Sequence, residues 1–143
     1  MKLRTFFLIV PSLFAVIGLS SCSTSSGKIG GVSFLSTAKP PASTPYIAAL
    51  EGGIVGRTDV KLSDNDQRRA LEAEYRALET APLGMPVVWS GSNVSGEVVA
   101  AAPYQVGSQN CRQYRHTVTV DGKQTQARGA ACRNDDGTWS PLN

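Results

Sequence analysis

The segment from Cys111 to Cys132 reads CRQYRHTVTVDGKQTQARGAAC and predicts a long β-hairpin. Asp121-Gly122 separates two runs rich in strand-forming residues, and Asp-Gly favours the two-residue type I′ turn that joins antiparallel strands. In this register Val120 pairs with Lys123, and counting outward from the turn sets Cys111 directly opposite Cys132. That position is a non-hydrogen-bonded pair, at which Cα atoms lie about 4.5 Å apart, at the short end of the disulfide range. We therefore expect a Cys111–Cys132 disulfide.

This disulfide would close a loop of about 22 residues and stabilise the fold by on the order of 3 kcal/mol in the chain-entropy model. The alternatives for the two cysteines are a metal site and a redox-active pair. The chain has one His and no C-x-x-C motif, which argues against a metal site. Redox pairs usually lie closer together in sequence and have a lowered thiol pKa. The sequence thus predicts no metal site and no cofactor.

The same register separates the two faces of the hairpin. Tyr114, His116, Val118 and Val120 share a face that is typical of a core, and we expect His116 to be packed and hydrogen-bonded there. The other face sets Arg115 opposite Arg128, and like charges so placed are destabilising.

Either a β-bulge shifts this register or an anion lies between the two guanidinium groups. Glu97, on a neighbouring strand, could supply that anion. A further hypothesis is an arginine-lined face for an anionic ligand or partner, formed by Arg112, Arg115, Arg128 and Arg133.

One helix is predicted over residues 63–80, SDNDQRRALEAEYRALET. Ser63 is a good N-cap, and the apolar positions Leu71, Tyr75 and Leu78 recur with helical spacing. The charged residues of this helix, Arg68, Arg69, Glu72 and Glu74, are interpreted as a solvated face. Strand patterns follow from residue 85 onward, so the predicted fold class is α+β. We expect one helix packed on an antiparallel sheet of four to five strands, with one disulfide inside the hairpin.

The chain has 143 residues and a formal net charge of +3, with 14 basic and 11 acidic residues. Two of the basic residues, Lys2 and Arg4, lie in a segment that we expect to be removed. The remaining balance is nearly neutral and does not favour a nucleic-acid partner. The sequence offers no Ser-His-Asp spacing, HExxH motif or Gly-rich phosphate loop, so we predict a protein that is not an enzyme.

Residues 1–22 carry the pattern of an export signal. Lys2 and Arg4 precede an apolar stretch over residues 6–19, which is too short to span a bilayer. The sequence ends in Leu19-Ser20-Ser21-Cys22, which resembles the bacterial lipobox. That resemblance implies cleavage before Cys22, acylation of this cysteine, and an N-terminal lipid anchor in a membrane. Ser23 in place of Asp implies the outer membrane.

We therefore predict three parts: a lipoprotein signal peptide over residues 1–21, a lipidated Cys22 with a flexible Ser/Thr/Pro-rich tether over residues 22–46, and an α+β domain over residues 47–143. An exported protein meets an oxidising compartment, which favours the disulfide.

Residues 52–143 also resemble the C-terminal domain of the rickettsial surface-antigen lipoproteins. The shared features are Gly52-Gly53, residues 66–70 (DQRRA), Leu78-Glu79, Pro82–Gly84, Trp89, Ser95-Gly96, Pro103-Tyr104, Cys111-Arg112-x-Tyr114, Asp121-Gly122, Gly129-x-Ala131-Cys132-Arg133 and Asp136-Gly137-x-Trp139. The family usually carries a glycine-zipper segment before this domain. Here that segment is reduced to Gly30-Gly31 and Gly52-Gly53-x-x-Gly56.

These observations predict a lipoprotein anchored in the outer membrane with a structural or interaction role in the cell envelope, and the resemblance implies a surface antigen. The alternative is a periplasm-facing inhibitor or binding module for an anionic or enzyme partner. An envelope protein and peptidoglycan are the partners that we consider, the latter on the helix from Leu62 to Leu78.

Overall fold

The computed structural model describes residues 42–143, which form two α-helices, one 3-10 helix and a five-stranded antiparallel sheet. Cys22, the predicted signal peptide and most of the predicted tether lie outside the described residues. The elements are α1 (Thr44–Ala48), a 3-10 helix (Val55–Arg57), α2 (Asp64–Glu79), β1 (Val87–Ser90), β2 (Val94–Val106), β3 (Gln109–Val120), β4 (Lys123–Arg133) and β5 (Trp139–Leu142). The strands follow one another in the sheet in the order β1-β2-β3-β4-β5. The predicted α+β class, with one main helix on an antiparallel sheet, is confirmed.

Helix α2 begins where the sequence indicates. The Ser63 hydroxyl accepts a hydrogen bond from the backbone N–H of Asp66, which is the N-cap arrangement. Asp64 and Asp66 lie in the first turn, where the positive end of the helix dipole favours carboxylates. Arg76 lies in the last turn, before the helix ends at Glu79.

The predicted hairpin register is confirmed from end to end. Asp121 and Gly122 have φ angles of 49° and 78°, so both central turn residues adopt the left-handed conformation that a type I′ turn requires. Cys111 pairs with Cys132 and forms a disulfide with it, and their Cα atoms lie 3.9 Å apart.

Strand β2 contains the one interruption of the ladder with β3. The pairing of Ala100 with Tyr114 is followed by that of Pro103 with Arg112, so Ala101 and Ala102 form a bulge. Proline has no N–H to donate to a ladder and is tolerated at such irregularities.

The core lies between α2 and one face of the sheet, which we call the helix face. Its buried apolar residues include Leu50, Ile54, Ala70, Leu71, Ala77, Leu78, Trp89, Val98, Tyr114, Val118, Ala131 and Trp139. The opposite face of the sheet, which no described helix covers, is called the open face. By strand alternation it carries the side chains of Cys111, Gln113, Arg115 and Thr117 on β3, together with their cross-strand partners.

The segment before α2 packs into the same core. Ile47 of α1 is buried, and α1 begins at Thr44, so ordered structure extends into the last residues assigned to the tether. Gly53 has a φ of 62°, and a Cβ there would collide with the Glu74 carboxylate. The Gly52-Gly53 pair thus lets the chain turn closely over α2.

Candidate functional site

The four arginines predicted to form one ligand face do not lie together, and the structure divides them into two pairs. Arg112 and Arg133 lie on the helix face, whereas Arg115 and Arg128 lie on the open face. The prediction of a single four-arginine face is therefore wrong. The alternation of side chains along β3 and β4 carried this signal, because Arg112 shares its face with Tyr114 and Arg128 does not share its face with Arg133.

Arg112 is a buried structural residue with 8% of its surface exposed. Its guanidinium donates to the carbonyl oxygens of Ala77 and Leu78 at 3.2 and 2.7 Å, and its Nε donates to the Ala101 oxygen at 2.9 Å. Burial lowers the pKa of Arg112. The side chain thus joins the last turn of α2 to the carbonyl that the β2 bulge leaves free, and it satisfies helix-end carbonyls with a cation.

Arg133 is held by Glu79, the last residue of α2. Its Nε and one terminal nitrogen each donate to a different Glu79 oxygen at 2.9 Å, which is a bidentate pair. Trp139 Nε1 donates to the same carboxylate at 2.8 Å. The hydrogen bond from Arg133 lowers the pKa of Glu79, and that from Trp139 acts in the same direction. This cluster therefore fastens the end of α2 to β4 and β5.

Arg115 and Arg128 face each other across β3 and β4 without a bulge. Both side chains are exposed, and neither takes part in an ion pair within residues 42–143. Arg128 donates from Nε to Gln126 Oε1 at 3.1 Å, and Gln126 in turn donates to the Thr117 hydroxyl at 3.2 Å. Glu97 lies opposite Thr117, one row away from the arginines, and forms no ion pair with them. The bulge that the sequence offered as an explanation is absent from this part of the described sheet, and neither guanidinium group has an ion-pair partner among the described residues.

A second polar cluster is sealed in the core, and sequence reasoning missed its central residue. Glu74 was assigned to the solvated face of α2 but is completely buried. One carboxylate oxygen accepts from the Val55 N–H at 2.8 Å and from His116 Nδ1 at 2.7 Å, and the other accepts from the Ile54 N–H at 3.1 Å and the Tyr114 hydroxyl at 3.2 Å. Four donors thus replace the water that the carboxylate loses on burial.

The geometry also fixes the tautomer of His116. Trp89 Nε1 can only donate, and it lies 2.8 Å from His116 Nε2, so Nε2 is the acceptor. The proton therefore resides on Nδ1, which donates to Glu74. The expectation that His116 is packed and hydrogen-bonded is confirmed. Burial, followed by the charge of Glu74, raises the pKa of the Tyr114 hydroxyl far above its ordinary value.

The position of Glu74 was visible in the sequence. It lies four residues after Ala70 and four before Leu78, in the middle of the apolar stripe that packs on the sheet. A carboxylate in the centre of such a stripe must be buried, and a buried carboxylate requires partners. His116 and Tyr114, on the core face of the predicted hairpin, were the available donors.

Within residues 42–143, no set of three or more His, Cys, Asp or Glu side chains is arranged to hold a metal ion. None of the helices in the same range is long and apolar enough to cross a membrane.

Comparison with known proteins shows that part of this chain is similar in sequence to a group of bacterial antigens. Residues 76–140 match the family described as 17 kDa outer membrane surface antigen. The 17 kDa surface antigens of Rickettsia conorii and Rickettsia rickettsii are each 40% identical to this chain over 85 residues, which cover 57% of this chain and 54% of those proteins. The antigen of Rickettsia prowazekii is 39% identical over 84 residues, covering 56% of this chain and 53% of that protein.

The resemblance to the rickettsial surface-antigen family that the sequence predicted is thus confirmed for the C-terminal part of the chain. The chain spans about half the length of the curated relatives that it matches. No solved structure matches it.

Proposed function

We propose that the protein is a lipoprotein anchored in the outer membrane through Cys22, and that its α+β domain has a structural or interaction role in the cell envelope as a surface antigen. Two observations support this proposal. The N-terminal 22 residues have the order of charges, apolar residues and small residues of a lipoprotein signal, and the relatives are named surface antigens.

The observation that carries the interaction role is the uncovered open face of the sheet. Residues 42–143 have six exposed large apolar side chains: Leu83, Met85, Val88, Tyr104, Val106 and Leu142. Strand pairing sets four of these six on the open face, and the other two flank Gly84 at its β2 edge. Apolar side chains collected on one uncovered face are typical of a surface that contacts another molecule.

The role is proposed as binding rather than catalysis because of how the titratable groups are used. Glu74 and His116, which would be the natural acid–base pair, have no exposed surface and bond to each other. Their remaining hydrogen-bonding atoms are occupied by Trp89, Tyr114 and the backbone of the 3-10 helix. A substrate has no path to this pair without opening the core.

Lipid attachment is tested by metabolic labelling with an alkyne analogue of palmitate, followed by purification of the full chain. We expect label on the wild-type protein and none on Cys22→Ser. The matched control is Ser21→Ala, which keeps a small residue before the cysteine and should be labelled like the wild type. Label retained by Cys22→Ser would refute the anchor.

Location is tested by adding protease to intact cells and to cells with a permeabilised outer membrane. Digestion in intact cells supports a surface antigen. Protection that disappears on permeabilisation would contradict surface exposure and leave a periplasm-facing domain. In that case purified peptidoglycan and envelope proteins are the partners to test with the immobilised full chain.

A second candidate function is a binding module for an anionic partner, as the sequence proposed. The specific observation in its favour is the opposed pair Arg115 and Arg128. Arg112 and Arg133 do not contribute, because their guanidinium groups are already bonded within the fold.

A further inference from the structure

The open face is organised in rows that change character along the strands. The row of Val88, Glu97, Thr117 and Gln126 is polar except for Val88 at its β1 end. The next row holds Val99, Arg115 and Arg128. Beyond it, Gln113 pairs with Ala130, and Ala130 pairs with Leu142. The two arginines therefore lie at a boundary between a mostly polar half and a half with mostly small and apolar side chains.

Two shallow hollows meet at this boundary. One has a volume of about 470 Å³ and is lined by both arginines together with Glu97, Thr117, Gln124 and Gln126. The other, of about 610 Å³, is lined by the same two arginines with Val99, Ala101 and Ala130 among others. A ligand that fits both features has an anionic group at the arginines and an apolar part over the second hollow.

The arginine pair favours a phosphate group as the anion. The two guanidinium groups carry two positive charges and up to nine free N–H donors, because Arg128 Nε–H already donates to Gln126. A phosphate monoester has three free oxygens and a charge of about −1.5 to −2 at neutral pH, whereas a carboxylate has two oxygens and a single charge. Both guanidinium groups lack a carboxylate partner in the described part of the chain, so they need not give up an existing ion pair to bind.

We propose that Arg115 and Arg128 form a site for the phosphate group of an amphiphile, whose apolar part lies over Ala101 and Ala130. This proposal deepens the second candidate function and rests on it, but it is independent of the lipid anchor at Cys22. The phosphate can belong to a lipid headgroup or to a soluble phosphate monoester, and the two sources are separated below.

The test uses the full chain, labelled with ¹⁵N and purified in dodecyl maltoside, a detergent without phosphate. Butyl phosphate, inorganic phosphate and butyrate are titrated while the arginine Nε–H resonances are followed by NMR. We expect butyl phosphate to shift Arg115 and Arg128 saturably. Burial of each methylene is worth about fourfold in affinity, so butyl phosphate should bind at least tenfold more tightly than inorganic phosphate. Equal binding of butyrate and butyl phosphate would overturn the choice of phosphate.

Variants identify the residues responsible. Arg115→Gln and Arg128→Gln should each weaken butyl phosphate binding at least tenfold. Arg68→Gln, which removes the same charge from the exposed side of α2, should leave it unchanged. Ala101→Asp keeps both arginines and sets a carboxylate in the apolar hollow, so it should also weaken binding. Equal weakening by Arg68→Gln, or no weakening by Arg128→Gln, would overturn the site.

The source of the phosphate is resolved by repeating the titration in bilayer discs that contain phosphatidic acid. If a lipid headgroup is the ligand, both resonances are shifted before any addition and butyl phosphate binds more weakly than in detergent. If a soluble monoester is the ligand, butyl phosphate binds equally in both. Failure of butyl phosphate in detergent together with unshifted resonances in the discs would overturn the proposal, whatever the labelling of Cys22 shows.

Discussion

Replacing Glu74 with Gln tests whether the buried polar cluster depends on an ionised carboxylate. The wild-type side chain only accepts, from the Ile54 and Val55 N–H groups, the Tyr114 hydroxyl and His116 Nδ1. The glutamine amide has the same shape but must place two N–H donors where one oxygen was. The substitution therefore changes hydrogen-bonding character and charge without leaving a cavity.

The expected loss of stability follows from the orientation of the glutamine amide that costs the least free energy. If the amide nitrogen replaces the oxygen facing Ile54 and Tyr114, the tyrosine hydroxyl can rotate and accept, but the Ile54 N–H is orphaned. His116 cannot adapt in the opposite orientation, because Trp89 already donates to its Nε2. One buried unsatisfied donor costs about 1–3 kcal/mol, and each remaining bond loses about 1 kcal/mol when the acceptor loses its charge. With three remaining bonds the gross loss is about 4–6 kcal/mol, and the neutral side chain recovers on the order of 1 kcal/mol of desolvation cost, so the net loss is about 3–5 kcal/mol.

The assay is thermal unfolding of the purified full chain by circular dichroism and calorimetry. At about 5 °C per kcal/mol for a domain of this size, we expect the Glu74→Gln melting temperature to fall by about 15–25 °C. Glu72→Gln is the matched control on the same helix, since a glutamine can keep the bond from the Ser43 hydroxyl. We expect a change within about 3 °C for this control. If Glu74→Gln had the same melting temperature as Glu72→Gln, the inference that Glu74 is an ionised carboxylate with four hydrogen-bond donors would be refuted.

Three further substitutions address the disulfide and the two structural arginines. Cys111→Ser should lose about 3 kcal/mol of stability, because the unfolded hairpin is no longer constrained by a cross-link. Reducing the wild-type Cys111–Cys132 bond should lower the melting temperature by the same amount. A variant that melts like the oxidised wild-type protein would contradict this. Arg112→Met keeps the apolar stem but orphans helix-end carbonyls, so urea unfolding should show a loss of about 2–4 kcal/mol, and a loss under 1 kcal/mol would count against the role of Arg112. Arg133 lowers the pKa of Glu79, so this carboxylate stabilises the fold above its unfolded pKa and loses that contribution as pH falls through the lower folded pKa. Glu79→Gln should therefore lose less stability than the wild-type protein between pH 6 and pH 3. An equal loss would refute the role of the Arg133–Glu79 pair.

The hairpin could be predicted in full because its information is local. The Asp121-Gly122 turn fixes the first pair, and the two-residue period then fixes every later pair up to Cys111–Cys132. The bulge at Ala101 and Ala102 could not be placed in the same way. The Ala101 carbonyl in this bulge accepts from Arg112, and the same guanidinium bonds the end of α2, 34 and 35 positions earlier in the chain. Such long-range contacts leave no local pattern in the sequence.

Charged residues were where sequence reasoning failed, and one physical cause explains the errors. A charge was taken to face solvent unless something argued otherwise, which is sound for isolated side chains. Glu74, Arg112 and Arg133 are different because each has a partner on another element: His116 for Glu74, helix carbonyls for Arg112 and Glu79 for Arg133. Such pairs are decided by tertiary packing, and only the position of the charge within an apolar face signals them.

These charge assignments also explain why the open face is the place to look for binding. On the helix face every arginine and the buried carboxylate are bonded within the fold, so their substitution destabilises the protein and any loss of binding is ambiguous. Substitution of Arg115 or Arg128 is not expected to destabilise the protein. Like charges across a non-hydrogen-bonded pair repel, so removing one of them should leave stability unchanged or raise it slightly. A variant such as Arg128→Gln that keeps its melting temperature but loses a ligand therefore separates binding from folding, and one that melts well below wild type would show that the pair holds the sheet together.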